Sequence, residues 1–146
     1  MKSGASIGDH IYTLGIASKL SGIPSHSIRQ YIDKGLILPF RTETNRHLFS
    51  EIDVQRLIKI KEYIEEGLNI AGIKALYAQI PGYLINSCSD SECTKCKAFN
   101  TSHLPCWIVN KDTAKCNNKD CRTCEVYMMA DPVEDLKRFF LTLKKN

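Results

Sequence analysis

"YTLGIASKLSGIPSHSIRQYIDKGLILPFRTETNRHLFSEIDVQRL", residues 12–57, carries the punctuation from which the fold can be read. Ile16, Ala17 and Leu20 fall at helical spacing, Gly22 ends that segment, and Pro24 with Ser25 opens a second one. In the second helix Ile28, Ile32 and Leu36 continue an inward stripe. His26, Arg29, Gln30 and Asp33 share the opposite side, and Gly35 supplies the stop. The result is helix, tight turn, helix. "LILPFRTETNRHLF", residues 36–49, then sets short apolar segments on either side of the polar turn "TETN", which predicts a two-stranded wing carrying Arg41, Arg46 and His47. "SEID" is a capping box in front of Val54, Leu57, Ile58, Lys61 and Ile64, a third helix closed by Gly67. "NIAGIKALYAQIP", residues 69–81, adds a fourth from an Asn69 cap to the stop at Pro81, weakened by Gly72.

A helix that presents Arg, Gln and His has the side chains that reach phosphates and base edges. Arg can grip guanine bidentately and Gln adenine. An isolated helix of this length would carry the same residues as an ordinary solvated face; the wing and the helices after it change that reading. The residues resemble the MerR family of winged-helix transcription regulators over residues 11–80. The resemblance is carried in order by "YTLGIASKLSGI", by "IRQYIDKGLI" as the recognition helix and its exit, by "RTETNRHLFSEIDVQRL" as wing and third helix, and by "EEGLNIAGIKAL" as the fourth.

The resemblance implies a mainly α, winged helix-turn-helix domain of four helices and a two-stranded wing over residues 10–80, binding double-stranded DNA. It places Arg29 and Tyr31 against the DNA backbone and Arg41 with the "NRH" turn on the wing. The candidate DNA-facing set is His26, Ser27, Arg29, Gln30, Tyr31, Arg41, Arg46 and His47. Two positions depart from the family pattern: Gln30 stands where an aromatic is usual, and Arg46-His47 replaces the common Tyr-Arg pair. These departures bear on which bases and phosphates are touched. The resemblance further implies a homodimer on a two-fold operator, distortion of an over-long promoter spacer at a deformation cost of up to several kcal/mol, and RNA polymerase as partner. An excisionase-like architectural protein with a structural zinc docking module is the alternative on the same fold. The usual family dimer rests on a long antiparallel helix pair after the fourth helix, and here Pro81-Gly82 interrupts the chain at that point.

The rest of the chain has a different chemistry. All seven cysteines lie between Cys88 and Cys124, at positions 88, 93, 96, 106, 116, 121 and 124. Cys88, Cys93 and Cys96 are spaced CxxxxCxxC, and Cys116, Cys121 and Cys124 repeat that fork with Cys106 between them. Each fork has an acid before its middle cysteine (Glu92, Asp120) and an aromatic three residues after its last (Phe99, Tyr127), the mark of an internal duplication. A CxxC pair converges two thiolates on one ion from a tight turn, and a cysteine five residues earlier can close the cone. Cys106, Cys116, Cys121 and Cys124 make one complete quartet, leaving Cys88, Cys93 and Cys96 as a triad. Alternatively Cys106 completes the first fork, in an order like that of plant-type iron–sulfur ligation. "PCW", the second fork and "EVY" also resemble small cysteine-tryptophan modules appended to bacterial signalling proteins. Structural zinc, an iron–sulfur cluster or exchangeable metal acting as sensor, and disulfides or redox thiols are the competing readings.

Composition narrows these. With 146 residues and 43% hydrophobic ones, the chain can bury a modest core. It opens on no basic start followed by an apolar run and has no stretch of about eighteen apolar residues, so a cytoplasmic, nucleoid-associated protein without a membrane partner is expected. The cytosol keeps thiols reduced, which favours metal binding over a disulfide framework. A net charge of +4 permits a nucleic-acid partner without demanding one.

An enzyme is not expected. No βαβ pattern surrounds the CxxC pairs, and Glu92 or Glu125 would have to be forced into the part of a zinc hydrolase's base. His103 reads as a surface loop residue, and Trp107 as packing over the site. The predicted cysteine-rich, metal-stapled module covers residues 86–128. Asp131, Pro132 and Glu134 then cap a C-terminal helix over residues 131–145, whose stripe of Val133, Leu136, Phe140 and Leu143 needs a partner, either the fourth helix or the same helix of a second chain.

Overall fold

The computed structural model describes residues 9–80, 101, 103–109 and 124–144. It divides into two compact units, Met1–Gly67 and Leu68–Asn146. The division falls inside the predicted 10–80 domain, and by packing the fourth helix belongs to the second unit.

In the first unit β1 (Tyr12–Thr13) runs directly into α1 (Leu14–Ser21), followed by α2 (Ser25–Asp33), β2 (Phe40–Arg41), β3 (His47–Phe49) and α3 (Glu51–Glu65). The wing is a three-stranded antiparallel sheet in the order β1-β3-β2 rather than two-stranded. Tyr12 pairs with Phe49 and Thr13 with Leu48 on one side of β3, Phe40 with Leu48 and Arg41 with His47 on the other. Two residues are too few to show a period of two, so β1 leaves no pattern in the sequence. Thr13 also accepts the Ile16 N–H at the start of α1, and this side-chain cap converts strand into helix within one residue.

Gly22 closes α1 in the left-handed region (φ 73°), its N–H reaching the Ser18 carbonyl at 2.9 Å. An added Cβ there would lie 3.0 Å from the Lys61 Nζ, so both conformation and space favour glycine. The Ser18 hydroxyl donates to the Ile23 carbonyl at 2.6 Å, and Ser21 accepts the Ile23 N–H at 3.3 Å; together they tie the helix-helix turn. α1 buries Ala17 and Ser21, whereas Ile16 and Leu20, read as part of its inward stripe, are 46% and 50% exposed. Small residues line the face that meets its neighbours, and the larger apolar side chains are left outside.

α3 begins with the predicted capping box, closed by Asp53: Ser50 Oγ accepts the Asp53 N–H at 3.1 Å and the Asp53 carboxylate accepts the Ser50 N–H at 2.9 Å. Its buried face is Ile52, Val54, Leu57, Ile60 and Tyr63 together with Asp53 and Arg56, while Ile58 and Ile64 are exposed. The predicted stripe is thus turned about the helix axis, because a fully buried Arg56 occupies a core position. Its Nη2 donates to the Leu36 carbonyl at 3.0 Å, which holds the segment between α2 and the wing. With Ala17, Ile28, Leu36, Ile37 and Phe49, these residues form the core of the unit.

In the second unit α4 (Ile70–Ala78) is capped by Asn69, whose Oδ1 accepts the Gly72 N–H at 2.8 Å. Three more helices are described: α5 (Cys106–Val109), α6 (Glu125–Met128) and α7 (Pro132–Lys144). Trp107 on α5 is 2% exposed and meets Tyr77 of α4 edge-on at 5.7 Å and Tyr127 of α6 at 5.3 Å. The Tyr77 hydroxyl donates to the Ala130 carbonyl at 2.7 Å, so a buried polar tip is satisfied beside the rings. α7 lies in contact with α4, as one of the two readings of its stripe predicts, but Val133, Phe140, Leu141 and Leu143 remain exposed. At its start Asp131 accepts the Glu134 N–H, and Asp135 rather than Glu134 returns the bond to the Asp131 N–H.

Candidate nucleic-acid interface

α2 takes its shape from its ends. Pro24 precedes the helix in an extended conformation, and Lys34 with Gly35 (φ 81°) ends it, the Leu36 N–H returning to the Tyr31 carbonyl at 2.9 Å. Between them Ile28 is fully buried and anchors the helix, leaving His26, Arg29 and Gln30 exposed and Ser27 half-buried. Tyr31 differs from the rest of the predicted DNA-facing set. Its side chain is 9% exposed, packed with the core, and burial raises the pKa of its phenol. Helical spacing explains this: Tyr31 lies three residues after Ile28, on the same face.

The wing tip is a tight turn. The Thr42 N–H reaches the Arg46 carbonyl and the Asn45 N–H the Thr42 carbonyl, both at 2.9 Å, while Thr42 Oγ1 accepts the Arg46 N–H at 3.1 Å. Asn45 is the one described non-glycine residue with positive φ (66°), a conformation that asparagine tolerates better than most residues. The turn leaves Arg41 and Arg46 exposed and His47 half-buried. Arg41 and His47 face each other across β2 and β3, and the Arg41 Nη2 lies 3.0 Å from the His47 Nε2.

His47 also shows how α2 and the wing combine. Its pKa is lowered, first by burial, then by the guanidinium groups of Arg41 and Arg29, with Asp33 acting the other way. Arg29 and Asp33 lie on the outward side of α2, so helix and wing present one electrostatic surface with Arg29, Arg41 and His47 at its junction. Among residues not predicted to matter, Arg56 stands out as the internal brace of this surface. Its only sequence signal is a charged residue in the middle of the run from Val54 to Leu57, which reads equally well as solvated. At the base of the wing the Tyr12 hydroxyl donates to Glu51 at 3.0 Å; that hydrogen bond, with the carboxylate's charge, raises the tyrosine's pKa.

A turn-linked helix pair with Arg29 and Gln30 outward, followed by a wing bearing Arg41, Arg46 and His47, matches the family described as MerR HTH family regulatory protein over residues 12–80. Residues 12–80 form a MerR-family helix-turn-helix domain. The domain is 42% identical over 64 residues to the HTH-type transcriptional regulator GlnR of Bacillus anthracis, a match covering 44% of this chain and 50% of that protein. It is 35% identical over 71 residues to the HTH-type transcriptional regulator TnrA of Bacillus subtilis, covering 44% of this chain and 64% of that protein. The HTH-type transcriptional regulator MlrA of Escherichia coli is 28% identical over 102 residues, 67% of this chain and 42% of its own length. The chain spans about half the length of the GlnR relatives it matches.

Of the predicted metal ligands, Cys88, Cys93, Cys96, Cys116 and Cys121 lie outside the described residues. Cys106 opens α5 half-buried, and Cys124 is 7% exposed at the residue before α6. His103 is exposed. Among the described residues no group of three or more His, Cys, Asp or Glu is arranged to hold a metal ion, and no helix is long and apolar enough to cross a membrane.

Proposed function

We propose that this protein is a transcription regulator that binds double-stranded DNA as a homodimer in the cytoplasm, engages RNA polymerase at the promoter, and holds zinc or an iron–sulfur cluster on its cysteine-rich segment. The observation that carries the DNA reading is the surface on which Arg29 of α2 acts together with Arg41 on His47 of the wing, with Gln30 exposed beside Arg29 on the helix. Each of these reaches solvent, and the elements that carry them are anchored by the buried Ile28 and Phe49. Phosphate contacts from the arginines would set register, and Gln30 would read a base edge.

The two cysteine forks support a thiolate site. A packing contact favours the partition in which Cys106 joins the second fork: the two described cysteines border α5 and α6, and rings on those same helices, Trp107 and Tyr127, touch at 5.3 Å. On this reading Cys106, Cys116, Cys121 and Cys124 hold one centre, and Cys88, Cys93 and Cys96 supply a second, incomplete one. When bound, such a centre supplies cross-links that a segment with so few apolar residues needs in order to fold. The chain's own part is the aromatic trio, through which order in the cysteine segment supports α4 and hence α7.

The dimer is supported by α7. Its first turn carries Glu134 and Asp135, its last turn Lys144, and its exposed stripe is Val133, Phe140, Leu141 and Leu143. Two such helices side by side and antiparallel would cover the stripe and set acidic ends against basic ones. Metal, redox state or a gas acting on the thiols would then bias the spacing of the two recognition helices. Purification without oxygen, followed by metal and sulfide content per chain and the visible spectrum, tests the cofactor. Iron with sulfide and a charge-transfer band identifies a redox or gas sensor, colourless protein with zinc identifies a staple, and protein that holds neither refutes the site.

A further inference from the structure

We propose that DNA binding by this chain is proton-linked through His47, the Arg41–His47 pair carrying one positive charge in the free protein and two on the phosphate backbone. The proposal rests on the DNA reading above. Arginine has donors only, so the 3.0 Å approach of Arg41 Nη2 to His47 Nε2 requires the lone pair of that nitrogen. The ring is therefore neutral, with its hydrogen on Nδ1.

Its surroundings hold it so. His47 is half-buried, packs edge-on against Phe49 at 6.4 Å, and faces Arg41 from β2 and both Arg29 and Asp33 from α2. Burial and two guanidinium groups outweigh one carboxylate, and the imidazolium is disfavoured.

Duplex DNA reverses the local field, bringing about one negative charge per 1.7 Å of helix. A phosphate oxygen can accept the Arg41 hydrogen that His47 held, and the freed Nε2 then takes a proton from solvent and donates to phosphate in turn. One N–H···N bond is exchanged for two charge-assisted N–H···O bonds, and one proton leaves the buffer for each chain bound. The sign follows directly. The histidine's pKa is lowered in the free protein and raised in the complex, so affinity increases as pH falls between the two values and is flat outside them. Lysine or arginine at this position would hold its charge throughout and give no such dependence.

The test uses the full chain and a fluorescently labelled mixed-sequence duplex at low salt, because phosphate contacts do not depend on sequence. Anisotropy titrations from about pH 5.5 to about pH 8 compare wild type with His47→Gln, His47→Arg and His26→Gln; roughly tenfold tighter acid-side binding is expected for each unit by which DNA raises the pKa. The pH slope should persist in His26→Gln whatever that change does to overall affinity, disappear in His47→Gln, and be replaced in His47→Arg by tight binding that ignores pH. Calorimetry in two buffers of different ionisation enthalpy should find proton uptake by wild type and none by His47→Arg. NMR of the four imidazoles guards against a misfolded variant: in wild type the His47 ring should titrate at higher pH once DNA is added. A pH slope unchanged in His47→Gln, a slope that follows His26, or an imidazole titration unmoved by DNA overturns the proposal. Failure of wild type and of every variant, His47→Arg included, to bind at any pH overturns the DNA reading itself.

Discussion

The first unit closes its core with Ala17, Ile28, Leu36, Phe49, Leu57 and Ile60 around a buried arginine and contains no cysteine, whereas the described core of the second gathers Tyr77, Trp107 and Tyr127 on short helices bordered by Cys106 and Cys124. α5 and α6 have four residues each, too few to form alone in water. α3, with fifteen residues and a reciprocal cap, has both the length and the end-groups to persist. Apolar burial and capping order the first unit; for the second, the proposed function assigns that part to thiolate cross-links.

Removing the proposed metal or cluster should have the largest effect on this contrast. Chelation under reducing conditions is expected to abolish the near-ultraviolet signal of Trp107, the only tryptophan, while backbone NMR signals of residues 9–67 stay in place. Retention of the Trp107 signal in metal-free protein would show that the second unit folds on its aromatic contacts alone. Next in size, Trp107→Ala should cost the second unit about 3–5 kcal/mol, read as the loss or lowering of one thermal transition with the transition of the first unit unchanged.

Changes in the first unit should act on DNA and on local stability. Gln30→Ala should relax preference at one base position, by about 1–3 kcal/mol of discrimination, in binding selections from random duplexes. Arg29→Ala should weaken every sequence alike and lower the salt slope by about one. A uniform loss from Gln30→Ala would remove its base-reading role. Ser50→Ala, which deletes half of the α3 capping box, should cost about 1 kcal/mol in urea unfolding and leave the Trp107 signal untouched.

How much could be read in advance follows the same division. Turn glycines, the Asn69 and Ser50 caps and the outward placement of Arg29, Gln30, Arg41 and Arg46 were legible because each is fixed by local spacing or backbone conformation. Strand β1 was not, since pairing with β3 is decided by partners far along the chain, Tyr12 opposite Phe49 and Thr13 opposite Leu48. Nor was the orientation of α3: periodicity places Ile58 and Ile64 inside as readily as Ile60 and Tyr63, and the choice depends on Arg56 finding the Leu36 carbonyl. Tyr31, one of the residues expected to face DNA, is buried beside Ile28, as its spacing of three residues along α2 allows. The cysteine forks were visible as spacing, but spacing does not say which thiolates share an ion.

The most direct test of the account joins the two regions. DNA affinity and bending by the full chain, measured on one selected duplex, would be compared between protein with its metal or cluster intact and protein stripped of it under reducing conditions. Loss of the proposed thiolate centre should change affinity or bend angle while the isolated signals of α2 and the wing persist; identical affinity and bend in the two forms would leave the cysteine segment a staple without a regulatory part.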